Sequence, residues 1–178
     1  MNDIIKKDSE LTPEEYQLKC DMAAENIIEI AGDMTIPFRE KIEKIEFILF
    51  YFDQVQIPVK HTFCDGVYVR EITIKKGTLL TNLYHKTETI DLMINGNISI
   101  VTPDGLKNLQ GFNTLVAMPG TKRIGFALED TQWVTVHKYT GKVPETDEEL
   151  NKLEDDLFTN NYSYFNIVDA EVKEDIWQ

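Results

Sequence analysis

Three histidines are the side chains best suited to chemistry: His61, His85 and His137. Imidazole is a common metal ligand and a general base near neutral pH. A metal needs several such groups converging from different elements. Glu88 stands three residues after His85. A hairpin between the segment ending at His85 and the next strand brings His85 near Glu88 and Thr89. His85, Glu88 and His137 are therefore the candidate metal ligands. The commoner outcome for one histidine on a strand is a hydrogen-bonded structural role. Arg123 is the candidate anion clamp, because guanidinium pairs with carboxylate and phosphate in two-pronged fashion; its competitors for that charge are Glu129 and Asp130. Thr89 and Trp133 complete the candidate ligand-contacting set. His61 and Cys64 lie close together, but no third group is in place to orient a Cys–His nucleophile.

Other chemistries are missing from the pattern. The chain has neither a GxGxxG nor a GxxxxGK[ST] phosphate loop, and no G-x-S-x-G nucleophile elbow. The formal net charge is -13 over 178 residues. A cation-lined nucleic-acid groove is not expected from such a chain, nor is docking on an anionic membrane. Cys20 and Cys64 lack CxxC spacing and read as free thiols in a reducing compartment. The start of the chain, MNDIIKKDSE, carries no apolar signal-peptide core. The longest apolar run, residues 47–52, is too short to span a bilayer.

The elements that must position these residues fall into three regions. Residues 1–54 read as helical. Thr12 is an N-cap, Pro13 suits the first helical position and Glu15 completes a capping box; Gly32 is the expected C-terminal stop. A second helix is predicted from Pro37 to about Gln54. Phe38, Ile42, Ile45, Leu49 and Phe52 share one face of it, with a heptad-like repeat. The stripe is a packing face, and it is also the candidate surface for a second copy of the chain. The run FILFYF is apolar nearly all round and is expected to be buried on more than one side.

Residues 55–140 change character. Short Val-, Ile-, Thr- and Tyr-rich runs alternate with Asn95-Gly96, Asp104-Gly105, Pro119-Gly120 and Glu129-Asp130. Asn-Gly and Asp-Gly are strong hairpin signals. About seven or eight strands at this spacing make an antiparallel sandwich or small barrel. On the strand predicted over 79–85, Leu79, Thr81, Leu83 and His85 share a face; on the next, Thr89, Asp91 and Met93 do. Residues 141–178 are acidic. Thr146 and Glu149 open a further capping box, and Leu150, Leu153 and Leu157 share a face. The aromatic residues that follow, ending at Trp177, are expected to pack on the chain itself or to dock on another surface.

The segment GTLLTNLYHKTETIDLMING, from Gly77 to Gly96, resembles the first motif of the cupin superfamily: Gly, a five-residue gap, His-x-His, a short gap, Glu, a six-residue gap, Gly. In this register Leu83 takes the first His position, His85 the second and Thr89 the Glu position. A second cupin motif fits GFNTLVAMPGTKRIGF with one extra residue, placing Arg123 at its metal-binding His. The resemblance implies a mainly β fold: a cupin-like antiparallel β-barrel, or jelly roll, flanked by N-terminal helices and a C-terminal helix. It also implies a degenerate metal site. Residues 55–158 further resemble small cupin-like proteins encoded by tailed bacteriophages and prophages, which tend to carry histidine where this chain has Thr89 and Leu128. That resemblance implies a phage-encoded protein; the degenerate metal site, the apolar helix stripe and the aromatic C-terminus lead to the expectation that it is non-enzymatic and acts as a virion component or assembly factor, in the virion or the host cytoplasm. Its expected partners are other phage proteins and further copies of itself, as a homodimer or higher symmetric oligomer. No cofactor is expected. The alternatives are a metal-free barrel that binds a small anion, as a sensor or sponge, and an enzyme using a divalent metal on a small molecule.

Overall fold

The computed structural model describes residues 8–165, so the end of the tail, with Trp177, lies outside the described residues. The chain forms two compact units. One comprises the residues up to Gln56 with Val101–Lys107; the other comprises Ile57–Ile100 and the residues from Asn108 onward.

The first unit is built on two helices. Helix α1 spans Pro13–Gly32 and α2 spans Phe38–Leu49. At the start of α1 the Thr12 side chain accepts from the Glu15 amide at 3.1 Å, and the Glu15 carboxylate accepts from the Thr12 amide at 2.8 Å. This is the predicted capping box. Gly32 is the last helical residue rather than the residue beyond it; Asp33 caps the end in extended conformation. Helix α2 stops at Leu49, short of Gln54. Its last turn tightens through i→i+3 bonds from Tyr51 and Phe52, and the Gln54 side chain donates to the Leu49 and Phe52 carbonyls at 3.0 and 2.9 Å. The final carbonyls are thereby satisfied without another helical turn.

Ile42 and Ile45 are buried with Ile27 and Ala31 of α1, and Phe38, Leu49 and Phe52 are half-buried. Two of the five stripe residues are thus used within the chain, and the other three keep part of their surface exposed. The Lys41 amine is buried and donates to the Ala31 carbonyl at 2.9 Å, in the last turn of α1, which satisfies both groups. The expectation that FILFYF is buried on several sides fails: Phe47 is 64% and Phe50 79% exposed.

The second unit is β-rich. The strands are β1 Val59–Cys64, β2 Val67–Ile74, β3 Leu79–Thr81, β4 Tyr84–His85, β5 Thr89–Asn95, β6 Asn97–Thr102, β7 Gly105–Gln110, β8 Asn113–Ala117, β9 Ile124–Ala127, β10 Thr131–Lys138 and β11 Phe158–Thr159. Strands β6 and β7 reach into the 101–107 segment of the first unit. Helix α3 spans Asp147–Leu157. One sheet has the order β1-β2-β10-β5-β8 and the other β3-β9-β6-β7; β4 and β11 form a short separate pair. Setting aside β1 and the short pair leaves a jelly-roll order: first-eighth-third-sixth strand in one sheet, second-seventh-fourth-fifth in the other. The two sheets do not close into one continuous barrel.

The sheets meet over an apolar core of Ile74, Met93 and Leu115 from one sheet and Ile98, Ile100, Leu109 and Ala127 from the other, with Trp133 packed against it. Alternation along each strand sends these side chains to one face. Gly96 sits at φ 101°, and a Cβ there would lie 2.5 Å from the Asp130 carbonyl oxygen. The β5–β6 turn therefore requires glycine on two counts. The Thr146 hydroxyl caps α3 by accepting from the Glu149 amide at 3.2 Å, while the Glu149 carboxylate accepts from the Glu145 amide rather than completing the box at Thr146. Leu153 and Leu157 pack with Tyr68 and Phe158. The tail aromatics Tyr162 and Phe165 pack on Tyr84, with ring centroids at 5.2 and 6.2 Å.

Candidate functional site

Strand alternation on β5 and β10 delivers the interior residues. Thr89 and Asp91 face inward on β5, and Thr135 and His137 on β10, where Thr135 pairs with Asp91 and His137 with Thr89. The predicted strand over 79–85 breaks at Asn82–Leu83 into β3 and β4. Leu83 is 48% exposed, and both Tyr84 and His85 are buried. The period-two reading of that strand therefore fails at Leu83. The break is held by backbone bonds to the 120–123 segment: the His85 amide donates to Thr121 and the Asn82 amide to Arg123, while the His85 carbonyl accepts from Gly120. Freed from the strand, the Asn82 side chain is drawn inward.

Asn82 decides the state of His85. Its Oδ1 accepts from the Arg123 amide at 2.6 Å, so its Nδ2 is the atom 3.0 Å from His85 Nε2. An amide nitrogen only donates, so His85 Nε2 accepts and the ring proton sits on Nδ1. That Nδ1–H faces Thr89 Oγ1 at 3.3 Å. Burial pushes the pKa of His85 down to about 4, so the ring is neutral at pH 7.

Arg123 and Asp91 form a buried ion pair. Asp91 also accepts from Thr135 Oγ1 at 2.8 Å, and Arg123 donates to the Val116 carbonyl at 3.1 Å. Arg123 thus meets an inward carboxylate rather than Glu129 or Asp130; Asp130 instead pairs with Lys75 at 2.7 Å. Asp91 was visible in the sequence as an inward carboxylate between Thr89 and Met93. Its partner was not, because strand order alone brings Arg123 to it.

His137 stands apart. It is fully buried, and neither ring nitrogen has a hydrogen-bond partner. Its pKa falls to about 4, first through burial and then through the neighbouring His85. The rings of Phe63, Tyr68, His137 and His85 form a stack, with successive centroids 4.6, 5.6 and 6.1 Å apart. Phe158 sets its edge against both histidines at 5.3 and 5.2 Å. His61 lies at the far side of Tyr68, its Nδ1 2.7 Å from the Tyr68 hydroxyl, and burial pushes the Tyr68 pKa up to about 12. Arg70 lies over the Phe158 ring and pairs with Glu154 of α3 at 3.0 Å.

These residues do not fit the predicted three-ligand metal site. His85 and His137 come together as expected, but Glu88 is exposed on the turn before β5. No group of three His, Cys, Asp or Glu side chains able to hold a metal occurs among the described residues. Both nitrogens of His85 are engaged besides. Trp133 packs in the apolar core and not at the histidines.

No protein-family model and no curated protein matches the chain. Among solved structures, the chain is similar to a cupin-2 domain protein from Shewanella frigidimarina at 13% identity and a TM-score of 0.38, covering 60% of this chain and 96% of that one. It is similar to an RmlC-like cupin with a double-stranded β-helix fold from Methanocaldococcus jannaschii at 14% identity and a TM-score of 0.40, covering 56% and 89%. It is also similar to KdgF from a Halomonas species at 16% identity and a TM-score of 0.41, covering 55% and 88%. The jelly-roll assignment rests on the strand order itself. Among the described residues, no helix is long and apolar enough to cross a membrane.

Proposed function

We propose that this chain is a non-catalytic binding protein whose jelly-roll interior is structural. One observation carries the reading: apart from His137, the interior groups suited to chemistry are engaged by interior partners. Asp91 neutralises Arg123, and Asn82 and Thr89 occupy both nitrogens of His85. A metal-dependent enzyme needs several free ligands with open positions beside them. An anion clamp needs a guanidinium without a resident carboxylate, so the Asp91 pair counts against that reading too. The resemblance of residues 55–158 to phage-encoded cupin-like proteins supports a role among phage proteins, as a virion component or an assembly factor.

The test is metal content and metal titration of untagged protein, together with a thermal-shift panel of small anions. The expected result is substoichiometric metal, no saturable uptake and no shift in Tm. Stoichiometric uptake, or a saturable shift with an anion, overturns the reading. Mass spectrometry of purified virions then separates the two phage roles: presence supports the component, and absence leaves the assembly factor.

A second reading draws on His137. Two unpartnered nitrogens in a fully buried ring mark a point where a small polar ligand or a metal would gain contacts. A binding signal in the same titrations that disappears in His137→Leu, while the variant keeps its fold by circular dichroism, supports it.

A further inference from the structure

The end of α2 exposes three rings that the core does not use. Ile42 and Ile45 turn inward, and the helical period puts Phe47 on the opposite side. Phe47, Phe50 and Tyr51 are all exposed and pack edge to face on one another, with centroids 5.3 and 5.6 Å apart. Beside Phe47 runs a groove of about 520 Å³, lined by Ile30 of α1 and by Glu40, Glu43, Lys44 and Ile48 of α2. Half-buried Ile30 and Ile48 supply its aliphatic lining, one from each helix, and the charged side chains flank them. Contiguous exposed apolar surface with a polar rim marks an interaction site.

We infer that this surface docks a basic amphipathic helix of another protein. Charge selects that occupant. Residues 13–49 carry nine carboxylates and four cations. All four cations are engaged: Lys19 with Asp8, Arg39 with Glu43, Lys44 with Glu40, and Lys41 on the Ala31 carbonyl. The two ion pairs at the groove are locally neutral, and the acidic excess is carried by exposed carboxylates such as Glu25 and Glu29 of α1. A field of this sign attracts cations and repels a second copy, nucleic acid and anionic lipid. Exposed i,i+4 pairs such as Arg39–Glu43 contribute little, so a partner's cation can replace Arg39 there. A second observation points to the same chemistry. One residue beyond the ring cluster, the Lys19 ammonium lies 4.2 Å from the centre of the Phe52 ring and pairs with the Asp8 carboxylate. The chain itself thus holds an ammonium against a ring and beside a carboxylate. Phe47 and Phe50 offer the same combination, with Glu43 one turn before Phe47 and Glu46 one turn before Phe50. The partner helix lays aliphatic residues, spaced three and four apart, in the groove between Ile30 and Ile48, and sets Lys and Arg side chains over the rings. The inference rests on the binding role proposed above and gives it a partner class.

Titration of a labelled leucine–lysine peptide, amphipathic over about four helical turns, with the full chain tests it by fluorescence anisotropy. The expected result is one saturable site with a dissociation constant in the micromolar range, weakened at least about tenfold by Phe47→Lys and by Phe50→Lys. Both side chains are exposed, so both variants are expected to keep the parental Tm and circular dichroism. Ile90→Lys makes the same change of charge at an exposed position of β5 and is expected to leave the affinity unchanged. A leucine–glutamate peptide of the same pattern is expected not to bind. Absence of saturable binding overturns the inference. Equal weakening by Ile90→Lys also overturns it, by revealing a general attraction to an acidic chain, as does equal affinity for the glutamate peptide. A dimer that Phe50→Lys breaks, seen by sedimentation velocity, overturns it by identifying a second copy as the occupant. A full-length Ile176→Ser, Trp177→Ser variant that binds the peptide at least about tenfold more tightly overturns it by identifying the chain's own C-terminal segment. Each of these outcomes leaves the metal and anion titrations unaffected, so failure of the docking surface and failure of the non-catalytic reading are told apart.

Discussion

The two ends of the β-sandwich interior are built from the same three strands and hold opposite chemistry. At one end β2, β5 and β10 supply Ile74, Met93 and Trp133 to an apolar core. A few residues along, the same strands supply Tyr68, Asp91, Thr135 and His137. At the apolar end contacts are non-directional, and each side chain contributes by the area it removes from water. At the polar end the bonded groups depend on particular partners in one geometry: Arg123 on Asp91 and the Val116 carbonyl, and His85 on Asn82 and Thr89. The first region tolerates change in proportion to lost volume. The second fails when a single partner is removed, because a buried polar group without a partner has no water to fall back on.

The sharpest way to break this contrast is Asp91→Ala. It strands the Arg123 guanidinium in the interior and is expected to cost about 3–5 kcal/mol, read as a shift in the urea midpoint. A paired Asp91→Leu, Arg123→Met variant should recover most of that loss. A cost below about 1 kcal/mol for Asp91→Ala would mean that water reaches the pair. At the apolar end, Met93→Ala is expected to cost about 2–4 kcal/mol through transfer and cavity terms. Met93→Leu should cost less than about 1.5 kcal/mol by equilibrium denaturation, since the volume is kept.

Acid should act on the polar end. His85 and His137 have folded-state pKa values of about 4, below the roughly 6.5 of an unfolded histidine. The unfolded chain therefore binds protons first as pH falls. Their contribution is whole above about pH 6.5, declines between 6.5 and 4, and is gone below about 4, a loss on the order of 3 kcal/mol for each histidine. His137→Leu is expected to flatten that slope in Tm-against-pH measurements. At pH 7 the same variant should be neutral or slightly stabilising, because it removes two unpartnered nitrogens. A small effect is expected from Tyr68→Phe, which deletes the hydroxyl's bond to His61 and keeps the ring stack. A loss of about 1 kcal/mol in the denaturant midpoint is expected.

Much of the fold was legible because its signals are local. The Thr12 and Thr146 caps follow from side-chain reach over three residues. Gly96 follows from a turn that needs positive φ. The inward set Thr89, Asp91 and Met93 follows from strand alternation. The site was legible only in part. His85 and His137 were expected together, and they meet. Glu88 was assigned to the same site by its spacing, and a turn leaves it at the surface. The α2 stripe was offered as a partner surface, and two of its five residues, Ile42 and Ile45, are buried within the chain. The reading of Leu83 failed because the strand breaks beside it.

The sequence by itself determined which residues sit on one face of each strand and helix, because periodicity and capping are properties of a few neighbouring residues. Only the tertiary structure decided which of those faces meet. It set Asp91 against Arg123, Asn82 against His85, and both nitrogens of His137 against nothing. Those pairings depend on strand order across two sheets, and a buried polar group takes its state from the partner that this order brings within hydrogen-bonding distance.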